Sequence, residues 1–143
     1  MLQISQDSKD ILSKLFIDGD AKTLSTTLSQ SLLNSIDRPD DLAAISLNAK
    51  YLMNSLMLAM VEMRDKGEIL LTPKYILDNL TVERFIELSD RSDFSDETKL
   101  ELKSFLRLHG YECYKLTTVA EQFGYTKSYW TEYLRQLSKE FLG

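Results

Sequence analysis

The chain has 143 residues, 43% of them apolar and 27% charged, with only five glycines and two prolines. That length closes one hydrophobic core, the composition excludes a disordered chain, and so few turn formers argue against an all-β fold. The net charge of −5 argues against a general affinity for nucleic acid, because a domain that tracks phosphates is normally basic.

At the N-terminus, Met1 to Asp7 lacks the basic and apolar regions of a signal peptide. Asp7-Ser8 is expected to cap a first helix carrying Ile11, Leu12, Leu15 and Phe16. Asp18-Gly19-Asp20 reads as a stop and a restart, and Leu24, Leu28 and Leu32 then recur at spacing four on a second helix. Arg38-Pro39-Asp40-Asp41 opens a third: proline suits the first helical turn, and acids there favour the positive end of the helix dipole.

The third helix, over residues 40–66, is predicted to be the longest. Leu42, Ile45, Ala49, Leu52, Leu56, Ala59 and Met63 alternate in steps of three and four, which keeps one face apolar over about 35–40 Å. Met53, Met57, Met60 and Met63 form a flanking stripe, read as core packing ahead of a plastic binding surface. Although Leu47 to Val61 is the most apolar stretch, Asn48, Lys50, Asn54 and Ser55 make it too polar to span a bilayer. Lys66-Gly67 ends the helix, and Glu68 to Leu71 reads as an extended connector. Thr72-Pro73 and Thr81 each open a short helix. Ser89 to Asp96 is a solvated acidic loop lacking the glycine and terminal glutamate of a calcium loop, and Ser95 with Thr98 opens a helix that His109-Gly110 ends.

The C-terminal third differs in texture. Nine of the fourteen aromatics lie from Phe105 onward. Charge shifts too: residues 1–98 carry 10 basic and 17 acidic side chains (−7), whereas residues 99–143 carry 7 and 5 (+2). Thr118 and Glu121 have capping-box spacing, Gly124 is expected to break the chain, and Thr126 to cap a final helix with Trp130, Leu134, Leu137 and Phe141 on one side. The fold expected is a single all-α domain over residues 1–143, a multi-helix bundle of about seven or eight helices around one long central helix.

No recognised phosphate-binding glycine motif is present. His109 and Cys113 are the only histidine and cysteine, which leaves a zinc site or a nucleophile–histidine pair without partners and rules out an intrachain disulfide. No catalytic residue, metal or cofactor is therefore assigned, and the setting expected is reducing and cytoplasmic. Residues 117–137 can be written as a helix-turn-helix, with Ala120 in the first helix and Gly124 at the turn. A small DNA-binding regulator is thus the alternative reading. Against it stand the bulk of Trp130 and a second helix that mixes Lys127, Arg135 and Lys139 with Glu132 and Glu140.

Three stretches together resemble the all-α domain of type IV secretion coupling proteins, in the branch of I-type conjugative plasmids and Dot/Icm-like systems. They are Gly19-Asp20-Ala21 with the long helix ending in Arg64-Asp65; Leu71-Thr72-Pro73 to Leu80-Thr81-Val82 with Phe85-Ile86-Glu87-Leu88; and Leu108-His109-Gly110-Tyr111 through Glu121-Gln122-Phe123-Gly124-Tyr125 to Leu134, Leu137 and Phe141. The likeness covers nearly the whole chain. It departs at His109, where the family has proline, and at Phe123, where it has histidine. The resemblance implies a lobe inserted into a RecA-like hexameric ATPase on the cytoplasmic face of the bacterial inner membrane, without membrane contact of its own. Such a lobe receives secretion substrates or relaxosome components and, in some members, meets DNA weakly. ATP hydrolysis would belong to the parent. Any anionic partner is expected at Lys115, Lys127, Arg135 and Lys139.

Overall fold

Capping chemistry decides where the helices begin. A computed structural model describes residues 4–35, 39–108 and 116–141, the side chains of 39–48, 116–122 and 125–126 excepted. The described residues form seven helices and no strand: α1 (Gln6–Asp18), α2 (Ala21–Asn34), α3 (Pro39–Asp65), α4 (Pro73–Asp78), α5 (Val82–Ser89), α6 (Asp96–Leu108) and α7 (Leu116–Glu140). Asp20, Thr72 and Thr81 take extended backbone and accept from the amide three residues on, so α2, α4 and α5 start where their sequence signals lie. The cap of α1 is Ser5 rather than Asp7-Ser8: the Ser8 amide donates to Ser5 Oγ at 3.1 Å, because an extended residue must stand just before the first helical one. On α1, Leu12 and Phe16 are buried, whereas Ile11 turns to solvent.

The long α3 is the spine, with α2, α6 and α7 packed on it. Ala49, Leu52, Leu56, Ala59 and Met63 are buried, and so are Met53, Met57 and Met60; the methionine stripe is core. The spine ends in a Schellman motif. The Gly67 amide donates to the Arg64 carbonyl at 2.9 Å and the Glu68 amide to that of Met63 at 3.0 Å, with Gly67 at φ +77, a left-handed conformation that favours glycine.

Gly124 does not break the chain, and Thr126 does not start a helix: residues 116–140 form one helix. The physical reason lies in phase. Phe123, Trp130, Tyr133, Leu134 and Leu137 are all buried, and the spacing 123, 130, 134, 137 keeps one stripe on one side across the glycine. A helix-interior glycine costs roughly 1 kcal/mol, which burial of several large side chains outweighs. Thr118 accordingly lies within the helix instead of preceding it, and its side chain lies outside the described residues. Phe85, Phe105 and Phe123 interlock at centroid separations of 5.0–6.0 Å, joining α5, α6 and α7.

Two features close the bundle. Lys9 pairs with Glu140 at 3.3 Å and the Phe16 ring meets that of Phe141 edge-on at 5.7 Å, so α1 and the end of α7 lie together. The loop after α5 is more than a solvated turn. Arg91 grips Glu68 through two hydrogen bonds of 2.8 and 2.9 Å, pairs with Asp93 and lies 4.3 Å over the Phe94 ring, which is buried. Lys66 reaches the Asp93 carbonyl at 2.9 Å from the end of the spine.

Candidate functional site: the C-terminal helix and the cleft between α2 and α3

Three of the four basic residues expected to meet an anionic partner can be placed; Lys115 lies outside the described residues. Lys127 is half-buried, and its Nζ donates to the Leu80 carbonyl at 3.1 Å. That contact fastens α7 to the end of α4 and commits the ammonium to the fold. Arg135 is exposed and pairs with Glu132 at 2.8 Å, and Lys139 is exposed in the last turn. At 100° per residue the two lie about 80° and about 120° around the helix from Lys127. The structure therefore does not bring the three together into one basic patch.

The helix-turn-helix geometry is not formed. Such a corner needs two helices meeting at a turn, and residues 117–137 lie within one helix. Trp130, which would stand in the recognition helix, is fully buried, and its Nε1 donates to the Ala49 carbonyl at 3.0 Å.

His109 and Cys113 lie outside the described residues. Among the described residues no three His, Cys, Asp or Glu side chains converge to hold a metal ion, and no helix is long and apolar enough to cross a membrane. The displaced ionisations are structural: the strongest are those of Arg91, raised by its hydrogen bonds to Asp93 and Glu68, and of Asp93, lowered by Arg91. Burial pushes the Glu62 carboxyl up, but the Ser95 amide, the Thr98 hydroxyl and Lys66 together hold it below its ordinary value. Burial raises the Tyr133 phenol to about 12; its hydroxyl lies near that of Ser31 without a hydrogen bond of ordinary geometry.

A concave site among the described residues lies elsewhere. Between α2 and α3 is a cleft of about 300 Å³, walled by Lys22, Ser25, Ser29 and Gln30 of α2 and by Lys50 and Asn54 of α3. Burial of the leucine stripe of α2 aims Leu24, Leu28 and Leu32 at the core and leaves this polar side of the helix along the cleft. Sequence reasoning followed the leucines and missed the cleft. The signal for it was the run of hydroxyl and amide residues at 25, 26, 29 and 30, a second face at helical spacing.

No protein-family model matches this chain, and neither curated proteins nor solved structures yield a significant match.

Proposed function

We propose that this chain is the substrate-receptor lobe of a type IV secretion or conjugation coupling ATPase, a non-catalytic helical domain that receives secretion substrates or relaxosome components for a hexameric motor. The family resemblance in the sequence suggests it, and one structural observation supports it. An inserted lobe must leave and re-enter its host at neighbouring points. The Lys9–Glu140 pair and the Phe16–Phe141 contact bring α1 and the end of α7 together in that way. With Lys127 and Arg135 already engaged, a protein substrate fits the C-terminal helix better than DNA does. Six copies in a hexamer would raise a weak single-lobe affinity by avidity.

Two measurements test the reading. Sequencing the flanking coding region should find a P-loop upstream and an acidic Walker-B strand downstream; their absence removes the proposed parent. Titration against random duplex, random single strand and candidate secretion substrates, at two salt concentrations, should show at most weak and sequence-indifferent nucleic-acid binding. Submicromolar, sequence-selective duplex binding that weakens steeply with salt would favour a DNA-reading regulator instead.

A further inference from the structure

The cleft between α2 and α3 has a chemistry that packing alone does not explain. Ser29 is 2% exposed, yet its hydroxyl has no hydrogen-bond partner. A buried hydroxyl left unsatisfied costs about 1–3 kcal/mol, so an alanine at position 29 would pack more cheaply. A serine kept in the wall of a cleft is explained if something entering the cleft completes its hydrogen bonding.

Charge identifies what enters. Lys22 and Lys50 stand on opposite walls, both are exposed, and neither makes an ion pair among the described residues. Many of the other bases are already engaged: Lys9, Arg64, Lys66, Lys74, Arg84, Arg91, Lys99 and Arg135 all pair with carboxylates. No carboxylate is among the cleft's lining residues, although the chain has 22 acids. Asp20, the N-cap of α2 and two residues before Lys22, is occupied in capping that helix through the Thr23 amide. Two uncompensated ammonium groups, serine hydroxyls and the amides of Gln30 and Asn54 form a set rich in donors. A dianion with several acceptor oxygens satisfies it.

Size and overall charge narrow the choice. About 300 Å³ is the lower end of small-molecule pockets. Residues 1–98 carry −7, a field that opposes a polyanion such as nucleic acid but is overcome locally for a small dianion between two lysines. We infer that the α2–α3 cleft binds a small phosphate monoester, its phosphoryl oxygens taking charge-assisted hydrogen bonds from Lys22 and Lys50 and a further bond from the Ser29 hydroxyl. The site is independent of the coupling-ATPase reading and would stand if that reading fell.

The test uses the whole chain with glycerol 3-phosphate and inorganic phosphate as probes, and glycerol and succinate as neutral and dicarboxylate controls. Isothermal titration calorimetry at constant ionic strength measures affinity, and thermal unfolding reports coupled stabilisation. Saturable binding of glycerol 3-phosphate is expected, weakened at least about tenfold by Lys22→Ala combined with Lys50→Ala. Ser29→Ala should weaken binding while leaving the ligand-free melting temperature unchanged or higher, since it removes a hydroxyl that has no partner. That outcome separates a ligand contact from a folding role. No saturable binding of either phosphate probe at about 10 mM, or equal binding of succinate, or binding that survives the double lysine substitution, would overturn the assignment.

Discussion

Trp130 and Ala49 stand 81 residues apart in sequence, and the indole Nε1 of the first donates to the backbone carbonyl of the second at 3.0 Å. Both residues are buried, so the bond joins α7 to the spine where water cannot replace it. Trp130→Phe keeps most of the aromatic surface and deletes the donor; it should cost about 1–3 kcal/mol. Trp130→Ala should cost about 3–5 kcal/mol. Because Trp130 is the sole tryptophan, urea unfolding is best followed by far-ultraviolet circular dichroism.

Leu56 is fully buried near the middle of the spine, whereas Leu70 in the connector is 86% exposed. Leu56→Ala should lower stability by about 2–5 kcal/mol, and Leu70→Ala should change it by less than about 0.5 kcal/mol. Equal melting temperatures for the two variants would mean that the spine is wrongly faced.

Glu62 completes the start of a helix to which it does not belong. Its carboxylate accepts from the Ser95 amide at 3.1 and 3.2 Å and from the Thr98 hydroxyl at 3.0 Å, while Ser95 Oγ accepts from the Thr98 amide. A capping box is thus assembled across two helices. Glu62→Ala should cost about 1–2 kcal/mol at neutral pH.

The same carboxylate predicts a pH dependence. Its folded-state value lies below its ordinary 4.5, and Glu68 and Asp93 are also lowered, mainly by Arg91. A depressed acid contributes stability that is present above the unfolded value and is lost as pH falls through the folded one. The melting temperature should therefore be level from pH 7 to about 5 and fall below about pH 4.5. Glu62→Gln should flatten part of that fall; an unchanged acid limb would remove Glu62 from the account.

Lys127 and Arg135 should separate in a stability assay. The first is half-buried and bonded to the Leu80 carbonyl, the second exposed on a surface ion pair. Lys127→Ala should cost about 1 kcal/mol, and Arg135→Ala less than about 0.5 kcal/mol. Any loss of partner binding in the Lys127 variant must accordingly be read beside its melting temperature.

Much of this protein follows from local chemistry. The caps at Asp20, Thr72 and Thr81, the glycine that ends the spine and the leucine spacing of α2 and α3 are short-range preferences that act within a turn or two. The all-α class and the buried face of the spine were legible for that reason. Where a local signal competed with packing, packing prevailed. Gly124 invites a break, but a continuous stripe from Phe123 to Leu137 gains more from burial than the glycine costs. Lys127 reads as a free cation in the chain and becomes a tether only because α4 ends beside it. The pairing of Arg91 with Glu68, the capping of α6 by Glu62 and the facing of Lys22 to Lys50 all join residues more than twenty positions apart. No periodicity in the chain encodes such meetings; they exist only once the helices have docked.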